Sequence, residues 1–581
     1  MINSIVWLGA GLSAAAAVIL YRCFKDRGKD IPAVFLYLYF VLPFLAGGFH
    51  SHVSFVTSWV LFFQLLRLYR ENKSLSFVLN INSLSVLMLV AAYAVAPLWA
   101  ASRGMAMYGL LRYLPLLLYI LLLMQYPARI HRDFLALIPL SGAFMTVISC
   151  ALLLFPEAKA TVTVYARLSG FLQYPNTYAV FLLAGLILQN LGSTLRKEDY
   201  LIDAVLILGI ALSGSRTCFV LLFFTLAGIV VLHHKLRQLL VFGGFLAGSL
   251  LLVLIASRVK ILHEVDRFFK LDFSDSSFLL RFLFYKDALK IIADHPFGTG
   301  FLGYIALEGL YQTGCYTVTF VHNGLLQILL DVGWIPGLFM AGVFLKGLCS
   351  PKTAPGSRLI LFILLGHCML DFDLQFFLIW VLLLSTLDFE TGKRCTLPVG
   401  KNIVPGICIA VLLWCSLLGI GDYFYSTGRY ETCMKLVPWH TDAMTKQLRK
   451  TDTPEQADVL ADRILEWNPT SGAAYSAKAG AAFASGRILD MIGYKKQAIS
   501  LSRFAVHEYN DYFKKLYTAM QTYVRNGDTE SAAYCANRLL EIPGMLDAVA
   551  AITDPLDTET IEKNILQLPE AYREVLAIIS Q

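Results

Sequence analysis

Long apolar runs separated by short charged loops fill the first 420 residues. A helix needs about 17–25 predominantly apolar residues to cross the ~30 Å hydrocarbon core of a bilayer. The runs at 2–22, 31–48, 52–69, 77–97, 106–125, 134–155, 172–192, 199–213, 217–233, 237–256, 322–346, 357–371, 374–388 and 402–420 predict fourteen helical spans, several of them short. The last pair before 402, around "HCMLDFDLQF", reads equally as two short spans or as one re-entrant element, so the expected total is about 12–14. Past Gly421-Asp422 the pattern becomes polar and helical, with small residues closely spaced. Turn-like starts recur at Pro438, Pro469, Arg503 and Pro543, with spacings of 31, 34 and 40. A period near 34 resembles tetratricopeptide-type helical repeats in degenerate form. The competing reading is a plain helical cap.

The expected fold class is therefore all-α: a polytopic membrane helix bundle, 1–420, followed by a C-terminal repeat domain, 421–581. Composition agrees, with 57% hydrophobic and 15% charged residues against about 25% charged in soluble domains. No basic residue precedes the first apolar run, so it reads as an uncleaved span rather than a signal peptide. With the N-terminus outside, the inner loops 21–30, 67–75, 127–133, 193–200, 234–237, 346–358 and 389–401 hold 19 Lys and Arg. The short outer loops 49–51, 98–105, 156–170, 214–216 and 372–373 hold four. The positive-inside rule favours that orientation. It puts the long loop 257–320 and the C-terminal domain outside.

Net charge is +7, but residues 422–581 carry 17 basic against 21 acidic side chains. The excess belongs to the membrane part, and no nucleic-acid partner is needed to explain it. Eleven cysteines without a Cys-x-x-Cys pair spell out neither a disulfide framework nor a zinc site. Cys315, Cys433 and Cys535 are the ones expected outside.

Polar side chains at the ends of such runs are the informative departures, because ionisable groups in lipid are costly. "YARLSGFLQYPNTYAVFLL" places Arg167 and Asn176 at the outer end of one run, and "LSGSRTCFV" places Arg216 at an outer turn. "DSSFLLRFLFYKDALKIIADHPFGTGFLGY" carries Arg281 on an amphipathic helix face with Phe278, Phe282 and Tyr285. Pro296 stops that helix, and Gly298, Gly300 and Gly303 permit a tight re-entry. "TFVHNGLLQILLDVGWIPGLF" opens on His322-Asn323, and Asn323, Gln327 and Asp331 form a stripe at i+4. Gly333, Pro336 and Gly337 predict a kink in that span. Asp371 and Asp373 are paired carboxylates at the same outer side, and they organise the cavity, orient an acceptor or serve a purely structural role.

Arginine forks bind phosphate oxygens bidentately and stay charged. A histidine can take a proton from a hydroxyl near neutral pH. Three arginines around one histidine therefore suit a diphosphate ligand, and the set contains no divalent-metal cage and no cofactor motif. The bland readings are a capping histidine at 322, a snorkelling Arg216 and a solvated Arg281.

Taken in order, "RLSGFLQYPNTYA", "SGSRT", "R…ADHPFGTGFLGY" and "VHNGLLQILLDVGWIPG" resemble the O-antigen ligase superfamily of membrane glycan transferases, over roughly residues 30–390. The resemblance implies transfer of a glycan from an undecaprenyl-diphosphate carrier to an acceptor hydroxyl, outside the bacterial cytoplasmic membrane and without metal. It implies His322 as general base and Arg216 and Arg281 as diphosphate contacts. Arg167, Asn176, Asn323, Asp371 and Asp373 complete the expected substrate-binding set. The acceptor is expected to be a glycan, lipid or protein, engaged through either the C-terminal repeats or the loop 257–320. Asp331 stands where many relatives have Glu. The alternative function is a transporter or flippase of a lipid-linked or polyanionic glycan, which would show internal repeats and a site near the midplane.

Overall fold

The computed structural model describes residues 2–26, 31–191, 196–233, 236–258, 276–397 and 403–580. Parts of the expected inner loops (27–30, 192–195, 234–235 and 398–402) and the first part of the long loop, 259–275, lie outside the described residues.

The chain is an all-α membrane helix bundle carrying a second helical body. Among the described residues, five helices are long and apolar enough to cross a membrane: Trp7–Asp26, Ile81–Leu98, Arg103–Leu123, Asp133–Leu153 and Gly406–Ser426. Six shorter apolar helices accompany them, among them Pro175–Gln189, Trp334–Cys349 and Pro355–Cys368. Length and burial divide these helices. Pro175–Gln189 is buried on every face from Thr177 to Ile187, as is Phe377–Ser385 from Phe377 to Leu384. A helix that is apolar all round belongs at the centre of a bundle. The peripheral helices instead present Trp7, Ile19, Ile407 and Leu413 at the surface. Proline opens Pro175–Gln189 and Pro355–Cys368, where its missing N–H is no loss and its φ is already helical.

Two expected spans are not continuous helices. The run 31–48 folds as a helix Ala33–Leu36, a π-helical turn Tyr37–Val41 and the 3-10 turns Leu42–Phe44 and Ala46–Gly48. Pro43 lacks the N–H that would continue the regular ladder. The run 322–346 does not kink but breaks, into Gly324–Val332 and Trp334–Cys349. Gly333 sits between them at φ +82, and a Cβ there would meet the Pro296 carbonyl at 2.4 Å. Gly298, at φ +83, makes the reciprocal approach, its added Cβ meeting Asp331 O and Gly333 N at 2.6 Å. The two glycines let the Gly-rich turn dock in the break, where Thr299 N donates to Leu330 O and Trp334 N to Pro296 O.

Two short β pairs depart from an all-helical reading. Leu75–Leu79 pairs antiparallel with Lys393–Leu397, Phe77 opposite Cys395. Thr163–Val164 pairs with Arg167–Leu168 across Tyr165 and Ala166, both at positive φ, as a tight two-residue hairpin turn requires.

These contacts sort the loops by side. The strand pair joins two loops that the charge pattern put together, and Asn80 adds bonds to Asp388 O and Thr391 O. On the opposite face Ala101 N donates to Thr299 O and Arg167 to Ser213 O. The C-terminal body sits on this second face, through His52–Asp422, Lys286–Asp554, Cys315 N to Asp557 and Thr470 to Ala306 O.

The composition shift at 421–422 falls inside one helix, Ile403–Ser426. Helices Pro454–Trp467, Gly472–Ala484, Ile488–Leu501, Val506–Arg525 and Thr529–Ala551 follow. Thr453, Ser471 and Asp528 cap their helices by accepting from the N–H three residues on. Pro454 to Ile488 and Gly472 to Val506 are each 34 residues, so one helix pair repeats at that period. Pro438, Pro469 and Arg503 do lie between helices, but Pro543 is inside Thr529–Ala551 and marks no turn. All eleven cysteines are free, and Cys433 and Cys535 are buried.

Candidate active site at the loop-rich face

Asp371 is the hub of the cluster. It lies in the turn beyond the end of Pro355–Cys368 and is 1% exposed. Oδ1 accepts from His322 Nδ1 at 3.1 Å, Tyr174 Oη at 2.8 Å and the Phe372 N–H at 2.9 Å. Oδ2 accepts from Asn176 Nδ2 at 2.7 Å and faces Arg281 Nη2 at 3.7 Å. A carboxyl surrounded by donors alone must be ionised, because only the carboxylate can accept from all of them. Burial pushes its pKa up, but the His322 hydrogen bond and the charge of Arg281 outweigh it and hold the group well below the usual carboxylate range. With Asp371 taking the Nδ1 proton, Nε2 of His322 is the nitrogen left to accept one.

His322 is held from several directions. Its backbone is left-handed, at φ +47, a conformation that costs a non-glycine residue of order 1 kcal/mol or more and clusters at functional sites. Tyr285 Oη donates to its carbonyl at 2.7 Å. Gln327 Oε1 accepts from Val321 N, next in the chain. The ring meets Phe372 edge-on at 4.9 Å and lies 6.1 Å from Phe284. A fifth of the side chain stays exposed.

Arg281 comes from the helix Ser276–Asp294 and also donates to Leu370 O at 2.8 Å. Arg167, fixed by its hairpin, donates to Ser213 O at 2.8 Å and to Asn176 Oδ1 at 2.6 Å. Asn176 thereby links Arg167 to Asp371. Arg216 opens the helix Arg216–His233, three residues past Ser213, and Cys218 in the same turn reaches the Asn176 carbonyl at 3.6 Å. Five segments far apart in the chain meet here.

Two expected substrate contacts are placed elsewhere. Asp373 is fully buried, accepting from Thr177 Oγ1 at 2.6 Å and paired with His367 Nδ1 at 2.5 Å. Asn323 caps Gly324–Val332 through Leu326 N and donates to Met369 O. Both are taken up by protein groups. The stripe resolves likewise, with Gln327 and Tyr93 donating to Asp331, which is sealed from solvent. Arg112 is buried, and its guanidinium donates to the carbonyls of Phe49 and Gln375.

Tyr174 and Tyr285 were not singled out for this chemistry by sequence. Tyr174 stands in the quoted "QYPN" and Tyr285 on the Arg281 face, but only a proton donor's position, not its type, reveals the role. Among the described residues no group of three His, Cys, Asp or Glu side chains is arranged to hold a metal ion.

Residues 201–341 match the family model described as O-antigen ligase. That segment is similar to the O-antigen ligase superfamily over about a quarter of the chain. It contains Arg216, Arg281 and His322, whereas Asp371, Asn176 and Arg167 lie outside it. The family carries a membrane glycan-transfer function of the ligase or polymerase type. A search of the curated proteins finds no match.

Proposed function

We propose that the protein is a glycosyltransferase that moves a glycan from an undecaprenyl-diphosphate carrier to an acceptor hydroxyl, on the outer face of the cytoplasmic membrane. The observation that carries this reading is the Asp371–His322 pair beside Arg281, on the face where Arg167 and Arg216 also gather. The acceptor hydroxyl gives its proton to Nε2 of His322 as its oxygen bonds the anomeric carbon. The bond from that carbon to the carrier phosphate breaks, and the diphosphate leaves with its electron pair. Asp371 holds the ring orientation and stabilises the imidazolium, the role of an orienting group behind a general base. Arg216 and Arg281 stabilise charge developing on the leaving diphosphate, with Arg167 shaping the same wall. Attack opposite the leaving group inverts the anomeric centre. The arginines supply the positive charge that a metal supplies elsewhere, so the step is written without one.

Purified protein, lipid-linked glycan and acceptor test this directly. His322→Ala is expected to lower transfer by about 10²–10⁴-fold, the usual worth of a positioned general base. Transfer at the wild-type rate would remove His322 from the mechanism.

A further inference from the structure

A second cavity, of about 710 Å³, lies between the helix Gly303–Tyr311 and the C-terminal body. It falls within the usual range for ligand sites, about 300–1,000 Å³. One wall is the external helix and the residues after it, Glu308, Gln312, Tyr316 and Thr317 among them. The other is made by the turns 468–473 and 501–507 together with Asp442. Thr470 Oγ1 donates to the Ala306 carbonyl at 2.9 Å and ties the two walls.

Its chemistry is the reverse of the first site's. Neither lysine nor arginine lines it among the described residues, so nothing there is built to hold a phosphate or a carboxylate. Instead it offers two acids. Glu308 is 4% exposed, and one carboxyl oxygen accepts from the Val318 N–H at 2.8 Å. Burial pushes Glu308 up to about 8, so near neutral pH its second oxygen carries a proton to donate. Asp442 lines the opposite wall, and burial pushes its carboxyl up. Tyr316 and Phe504 add aromatic surface. Acceptors, a donor, the His507 imidazole and ring faces, without lysine or arginine, match a polyhydroxylated, uncharged molecule.

The cavity also adjoins the reacting groups. Tyr316 packs on Phe284 with ring centroids 4.5 Å apart, and Phe284 lies 6.1 Å from His322. A single aromatic ring therefore separates the cavity wall from the imidazole.

We infer that this cavity binds an uncharged oligosaccharide, the part of a glycan acceptor behind the hydroxyl that reacts at His322. This rests on the proposed transfer reaction and names the class of acceptor for it. Glycan recognition is thereby divided, with the arginine-rich site taking the donor's diphosphate and the site without lysine or arginine taking the acceptor's sugars.

The test uses full-length protein in nanodiscs and two probes, the delipidated neutral oligosaccharide of the source strain's surface glycan and inorganic pyrophosphate. Dissociation constants are measured by titration for wild type, Asp442→Asn and Ala473→Trp, the last filling the cavity from the wall opposite Glu308. Both variants are expected to bind the oligosaccharide at least about tenfold more weakly, Asp442→Asn through a lost hydrogen bond to the carboxyl and Ala473→Trp by occupying the cavity, with pyrophosphate binding unchanged. Oligosaccharide binding that is undetectable in wild type, or equal in wild type and both variants, overturns the inference. So does a peptide that displaces the oligosaccharide and binds more tightly. If the variants lose oligosaccharide binding while His322→Ala transfers at the wild-type rate, the cavity assignment stands and the catalytic reading falls. If transfer depends on His322 but the acceptor KM is the same in both variants, the reverse holds.

Discussion

Asp371 and Asp373 lie in one turn, two residues apart, and each pairs with the Nδ1 of a histidine. The chemistry is alike and the surroundings are opposite. Asp373–His367 is sealed, at 0% and 1% exposure, and Thr177 takes another lone pair of its carboxylate. Asp371–His322 is buried on the acid side and a fifth open on the imidazole side, with Arg281 alongside. A sealed pair can only hold the turn in place, because no reactant reaches it. An open pair can pass a proton. Access, rather than residue type, separates the anchor from the candidate base.

The comparison predicts different failures for the two acids. Asp371→Asn removes the acceptor that fixes the His322 tautomer, and transfer is expected to fall by about 10²–10⁴-fold. The melting temperature is expected to fall as well, because an amide cannot accept from every donor around this buried carboxylate, so the rate is compared per folded molecule. If the rate stays within a few fold, the open pair has no catalytic meaning. Asp373→Ala leaves His367 buried beside an empty site and is expected to cost about 3–5 kcal/mol of stability, the usual result of breaking a buried pair. Replacing both members by apolar residues, Asp373→Leu with His367→Leu, should recover much of that loss, as measured by thermal unfolding in detergent. Equal stability of Asp373→Ala and wild type would contradict an anchoring role.

Tyr285→Phe gives a finer cut, since it removes the hydrogen bond to the strained His322 carbonyl and touches no reacting atom. About 0.5–1.5 kcal/mol corresponds to a roughly two- to tenfold lower kcat with little change in KM. A change confined to KM would assign Tyr285 to substrate binding instead.

Glu308 supplies the smallest effect and a third environment, a buried acid with no cation. Folded, it keeps its proton to about pH 8, whereas its ordinary value is 4.5. Between those values the folded state binds more protons, so stability falls as pH rises across that window. Glu308→Gln should flatten this part of the melting-temperature profile. An unchanged slope would mean that the acid titrates normally.

The legibility of these features follows their range in the chain. Apolar runs located the helices, since hydrophobic length is a local property, and the charge count grouped the loops that the contacts later joined. His322, Arg281, Arg167 and Asn176 were legible because each interrupts an apolar or amphipathic pattern at a helix end. Sequence alone predicts a kink rather than a break at Gly333, because the docked turn that fills the break comes from residues 296–300. Pro543 was read as a turn, although its helix continues through it.

By itself the sequence determined that the chain enters a membrane as a bundle of helices, and it marked His322, Asp371 and the arginines as candidates by their positions at helix ends. It could not distinguish Asp371 from Asp373, place Tyr174 and Tyr285 on the histidine's support, or bring the external helix against the turns of the C-terminal body. Those outcomes depend on which groups from distant segments exclude water together, and hydrogen bonding, burial and access to a reactant exist only once the segments have packed.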